Sequence, residues 1–125
     1  MKILVVDDEP IIADTLVDIL SGDGHHALAV SNGKSAVRWA EMVRPDAVVT
    51  DVIMPGIDGI ETAKAISKML PDCRIILFSG QTTGSDLLAR AKADGCSFEV
   101  LAKPINPDRL LSIIRSWNPG GPNYR

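Results

Sequence analysis

The sequence lacks several things that would point to particular functions. No apolar run approaches the roughly 20 residues that cross a bilayer as a helix. Basic residues are not in excess: 13 Lys and Arg stand against 16 Asp and Glu, for a formal charge of −3. That balance argues against a nucleic-acid-binding domain and gives no support for docking on an anionic membrane. Two cysteines, Cys73 and Cys96, make no disulfide framework. There is no internal repeat and no low-complexity block. The amino end, Met1-Lys2-Ile3-Leu4-Val5-Val6-Asp7-Asp8, turns acidic too early for a secretory leader, so the expected compartment is a reducing cytoplasm.

What is present is one domain's worth of chain, 125 residues with 46% apolar side chains. Short apolar runs recur: Ile3 to Val6, Ala27 to Val30, Ala47 to Val49, Ile75 to Phe78, and Val100-Leu101. Runs of this length, partly β-branched, read as strands covered on both faces. Helical spacing lies between them. Ile12, Leu16, Ile19 and Leu20 share a face, as do Ala36, Ala40 and Val43, then Ile60, Ala63, Ile66 and Leu70. Leu87, Leu88 and Ala91 suggest a fourth helix, and Leu110, Ile114 and Trp117 a fifth. Pro10, Asn32-Gly33 and Asn106-Pro107-Asp108 supply helix starts. Five strands alternating with five helices predict a doubly wound α/β fold with a parallel sheet. The segment 118–125, rich in Gly and Pro, reads as a flexible tail or the start of a linker.

The chemistry gathers where strands end. Asp7 and Asp8 follow the first strand, Asp51 the third, Ser79 the fourth and Lys103 the fifth. In such sheets the carboxyl ends of the strands form the ligand crevice. Three carboxylates there repel one another, and a hard divalent cation removes the conflict. Mg²⁺ suits oxygen donors, with Asp8 and Asp51 as direct ligands, Asp7 acting through water, and Ile53 offering a backbone carbonyl. A carboxylate beside such a cation and an ammonium can attack phosphorus to give an acyl phosphate. Asp51 is the best nucleophile, since Met54-Pro55-Gly56-Ile57-Asp58-Gly59 leaves it accessible. Lys103 would stabilise the phosphoryl oxygens, and Ser79 would donate a hydrogen bond to them.

Taken in order, Asp7-Asp8, Arg44-Pro45-Asp46 to Asp51, Met54 to Gly59, Ser79-Gly80 and Lys103-Pro104 resemble the receiver domain of two-component response regulators. The resemblance covers residues 1–117. It implies a flavodoxin-like sheet of order 2-1-3-4-5, with Asp51 phosphorylated by a histidine kinase or histidine phosphotransfer protein. It further implies Mg²⁺ held by the acidic pair, a cis peptide before Pro104, and a switch surface of fourth helix, fifth strand and fifth helix. An output protein or domain would read that surface; none is recognisable in the sequence, and the chain is read as either a stand-alone regulator or the front of a longer protein.

Two departures stand out. Relatives of this kind carry an aromatic residue three positions before the lysine; here that place holds Val100, with Phe98 two positions earlier. Ile53 occupies a position that is often polar. The first departure motivates an alternative, a receiver-shaped interaction domain not switched by phosphate. A third reading, a Mg²⁺-dependent aspartyl phosphatase, needs a proton-transferring side chain two residues after the nucleophile, and Ile53 cannot serve. The expectation is therefore a switch and not a turnover enzyme. Glu9 is read as a surface acid, His25 and His26 as exposed turn residues, Trp39 and Trp117 as packing residues, and both cysteines as ordinary thiols.

Overall fold

Strand and helix alternate as the apolar periodicity requires in the computed structural model, which describes residues 1–54, 56–80 and 98–117. The elements are β1 (Lys2–Val6), α1 (Pro10–Gly22), β2 (His26–Val30), α2 (Gly33–Val43), β3 (Ala47–Asp51), α3 (Gly59–Met69), β4 (Arg74–Ser79), β5 (Glu99–Ala102) and α4 (Pro107–Trp117). The strands form one sheet in the order β2-β1-β3-β4-β5, every neighbouring pair parallel. The expected doubly wound fold and strand order are thus observed. Four helices are present among the described residues. The helix read around Leu87, Leu88 and Ala91, Cys96, and the segment 118–125 lie outside them.

Two cores follow from the two-residue alternation of the strands. Leu4, Val6, Val48 and Leu77 pack with Ala36 and Ala40 of α2 and Ile60, Ala63 and Ile66 of α3. Ile3, Val5, Val49, Ile76 and Phe78 pack on the other face with Leu16 and Leu20 of α1 and Leu110 and Ile114 of α4. Burying both faces of β1 and β3 is what lets these strands be continuously apolar. β2 departs from that expectation. It is an edge strand with one neighbour, and of its five residues only Val30 is buried.

The expected helix starts at Asn32 and Asn106 act as caps: Asn32 Oδ1 accepts from Ser35 N at 2.8 Å and Asn106 Oδ1 from Asp108 N at 2.9 Å. Asp58, read in the sequence only as a loop residue, also caps, its Oδ1 accepting from Glu61 N at 2.9 Å. Pro10 opens α1 after an exposed Glu9. Two side-chain expectations are corrected. Trp39 is 40% exposed, because the buried stripe of α2 is Gly33, Ala36 and Ala40 and Trp39 lies on its flank. His25 is buried, because its backbone N–H turns inward to the Leu20 carbonyl at 3.1 Å. His26 is exposed. Cys73 is half-buried, and burial pushes its thiol up to about 12, so it stays a protonated, unreactive thiol. Trp117 is half-buried, with the Arg74 guanidinium 6.0 Å from its ring centre.

Candidate functional site: an acid cluster facing a lysine

The four strand ends converge at one edge of the sheet. β1 stops at Val6, but Asp7 N still donates to the Val30 carbonyl at 3.1 Å, so the sheet fixes Asp7 as firmly as a strand residue. The chain then turns: Asp7 Oδ1 accepts from Glu9 N at 2.9 Å. This turn buries Asp7 and leaves Asp8 exposed. Asp51 ends β3 and is buried.

The segment after Asp51 folds back sharply. Gly56 has φ +80°, a conformation favoured by glycine, and Gly59 N donates to the Val52 carbonyl at 2.7 Å. A Cβ on Gly59 would lie 2.0 Å from the Asp51 carbonyl oxygen, so only glycine permits α3 to start against the end of β3. The glycine after the Asp58 cap was visible in the sequence as a loop residue; its role as the wall behind Asp51 was not.

Lys103 reaches the same place from β5. Its backbone N–H donates to the Ser79 carbonyl at 3.0 Å, extending the β4–β5 ladder by one residue. The Lys103-Pro104 peptide is cis. The Lys103 ammonium donates to Asp51 Oδ2 at 3.1 Å and lies 5.2 Å from the Phe78 ring centre. Asp51 Oδ1 receives a longer bond, 3.4 Å, from Ile53 N, while the Ile53 side chain is 61% exposed. Ser79 is buried at the end of β4. The sequence-read residues Asp7, Asp8, Asp51, Ile53, Ser79 and Lys103 thus do come to one edge of the sheet.

Carboxylate oxygens of Asp7, Asp8 and Asp51 all lie within 4.8 Å of one another. Asp7 Oδ2 is buried and has no hydrogen-bond partner among the described residues. Burial, opposed by the Glu9 N–H and reinforced by Asp51, holds the Asp7 carboxyl above the ordinary carboxylate value. An orphaned buried oxygen among three acids is costly unless something positive meets it. Lys103 supplies one charge, against three. The donor set is all oxygen and hard, which fits Mg²⁺.

Phe98 and Val100, the two residues of the sequence departure before Lys103, also lie among the described residues. Phe98 is 8% exposed and belongs to the core between the sheet and α2 and α3. Val100 is half-buried opposite Leu77. Phe98 stands just before β5, whose Glu99 pairs with Ile76, so this aromatic is a core residue toward the amino ends of the strands, away from Asp51, which pairs with Phe78.

Comparison with known proteins agrees. A family model described as a response regulator receiver domain matches residues 3–115. The chain is 35% identical over 122 residues to the DNA-binding transcriptional regulator NtrC of Azospirillum brasilense, covering 96% of this chain and 25% of that protein. It is 30% identical over 114 residues to the chemotaxis protein CheY of Thermotoga maritima, covering 90% of this chain and 93% of that one. Among solved structures, response regulator TrrA of Thermotoga maritima in complex with Mg²⁺-BeF superposes with a TM-score of 0.81 at 34% identity, covering 93% and 97% of the two chains. The chain spans between 25% and 47% of the length of the first curated regulators it matches.

Proposed function

Because this chain belongs to the response regulator receiver domain family, we propose that it is a phosphoacceptor switch in which Asp51 takes a phosphoryl group from a phosphohistidine. The donor is a histidine kinase or histidine phosphotransfer protein. A carboxylate oxygen of Asp51 forms the new O–P bond, the P–N bond breaks, and the electron pair leaves with the imidazole. The product is an aspartyl phosphate.

Asp8 and Asp51 would hold Mg²⁺ directly, Asp7 through water, and Ile53 through its backbone carbonyl. When bound, the ion neutralises charge on the transferring phosphoryl oxygens. The remaining work belongs to the protein. Lys103 stands 3.1 Å from Asp51 Oδ2 and pairs with a phosphoryl oxygen once Asp51 is modified. Ser79 donates its hydroxyl to another. The backbone N–H of Ile53 steadies the other carboxylate oxygen. The exposed Ile53 side chain carries no proton to transfer, which favours a slow-hydrolysing switch over a phosphatase.

The phosphate then biases two conformations of the surface formed by β5, α4 and the segment between β4 and β5, where the sequence places a helix. A partner or output domain reads that surface, and its response is bounded by its differential affinity for the two states. The proposed compartment is a reducing cytoplasm, where Cys73 stays a free thiol; no described helix is long and apolar enough to cross a membrane. The domain itself contacts no nucleic acid.

The observation that carries this reading is the convergence of Asp7, Asp8 and Asp51 within 4.8 Å, with the Lys103 ammonium on Asp51. The test is incubation with a small phosphodonor, read by intact mass and peptide mapping. A Mg²⁺-dependent, hydroxylamine-labile phosphoryl group on Asp51, lost in Asp51→Asn, supports it. No label, in a protein that stays folded, supports a receiver-shaped interaction domain instead.

A further inference from the structure

At the opposite end of the sheet lies a group of charged side chains that the chemistry at Asp51 does not use. Asp23 and His25 sit in the turn between α1 and β2, beside the amino ends of the parallel strands. The His25 side chain is fully shielded from water, and that of Asp23 is 14% exposed. His25 Nε2 lies 3.3 Å from Asp23 Oδ2, and His25 Nδ1 lies 3.3 Å from the Met1 amine. The same Asp23 carboxylate is gripped from α4. Arg115 Nε donates to Oδ2 at 3.2 Å, and Arg115 Nη2 donates to Oδ1. One carboxylate therefore lies between a buried imidazole, whose Nε2 faces it with no hydrogen bond among the described residues, and the last turn of the final helix, which it binds. A two-pronged guanidinium pair is the strongest form such a link takes.

We propose that Asp23, His25 and Arg115 form a pH-sensitive clasp: with His25 neutral, Asp23 holds Arg115 and the last turn of α4, and protonation of His25 lets that turn go. The charged groups facing His25 are the Met1 amine at the start of β1, Asp23 in its own turn and Arg115 from α4; α1 presents the Leu20 carbonyl to its backbone. Two of those three groups are cations. A proton on His25 puts a third cation beside the one carboxylate they share, on a ring that is itself fully shielded from water. The strain is relieved when the ring moves to water. Asp23 belongs to the same short turn, so it leaves Arg115 as the turn opens.

Burial and the Met1 amine hold the His25 imidazole below its ordinary 6.5, against the pull of Asp23. A histidine whose folded value is depressed stays neutral in the closed site while the open turn takes up a proton. The clasp is therefore intact above about pH 6.5 and weakens as pH falls below it. The device stands independently of the chemistry at Asp51, and it couples acidity to the position of the helix that ends the described chain.

An NMR pH titration of the full chain from about pH 7.5 to 5 tests it. The expected result is a His25 ring midpoint below 6.5, with the Arg115 Nε–H resonance and the amides of residues 113–117 shifting at that same midpoint. Amides of α2 and α3 stay still. In Arg115→Gln, a change at a side chain 55% exposed, the His25 midpoint rises and the α4 amides stop responding. His25→Gln abolishes the response with α4 still docked. Titration of His25 without movement of Arg115, or movement of Arg115 at a carboxylate midpoint, overturns the clasp. If His25→Gln fails to fold, the Arg115→Gln comparison decides alone.

Discussion

Replacing Asp7 by Asn exchanges function for stability. Asp7 is buried, its Oδ2 has no partner among the described residues, and a carboxylate oxygen of it lies within 4.8 Å of one from each of Asp8 and Asp51. Two unit charges at that separation repel by about 3 kcal/mol at an effective dielectric constant of about 20. Asp8 is exposed and Lys103 offsets part of the repulsion on Asp51, so the net relief is about 1–2 kcal/mol. The amide keeps an oxygen to accept from Glu9 N and gains a donor for its acidic neighbours. For a domain of this size, that relief raises Tm by about 4–8 °C in EDTA. The pH dependence has a definite sign. The Asp7 carboxyl titrates above its ordinary 3.8 in the folded chain, so its penalty is full above the folded value and vanishes below 3.8. The gain from Asp7→Asn is therefore present at neutral pH and absent at about pH 3.5. Mg²⁺ affinity falls in the same variant. Thermal melts with and without Mg²⁺ check both halves; a variant less stable in EDTA, or one binding Mg²⁺ as tightly as the parent, refutes the reasoning.

Three other outcomes follow from the same geometry. Lys103→Met leaves the acid cluster without its cation; it lowers stability in EDTA by about 2 kcal/mol by urea denaturation and slows labelling of Asp51. Gly59→Ala drives a Cβ into the Asp51 carbonyl and costs about 3 kcal/mol, visible as a lowered Tm together with shifted resonances at Asp51. Phe98→Ala removes a buried ring from the core under α2 and α3 and lowers unfolding free energy by about 3 kcal/mol in a denaturant titration.

Much of this molecule is legible in the sequence because its two strongest signals are local. Continuous apolar runs such as Ile3–Val6 and Ile75–Phe78 mark strands buried on both faces, and the Asn32 and Asn106 caps mark where helices begin. Alternation of the two makes a parallel sheet, and the sheet brings Asp7, Asp51 and Lys103 together without further information. What stays hidden is set by tertiary placement. β2 reads like β1, but its position at the edge leaves Leu28 38% exposed. Trp39 lies on the flank of α2 because alanines form the buried stripe. His25 reads as an open turn residue, and only the fold brings Asp23 and Arg115, 92 residues apart, against it. The room at Gly59 depends on where β3 ends, which no local pattern records.

The most direct measurement is an NMR titration of the chain with Mg²⁺ and then beryllofluoride, an analogue of the phosphoryl group. The expected result is that Mg²⁺ alone shifts residues 7, 8 and 51, and that beryllofluoride then moves Ser79 and Lys103 and carries the change outward through β5 to α4. No saturable response to the pair at Asp51, or a response that stays among the three acids, contradicts it.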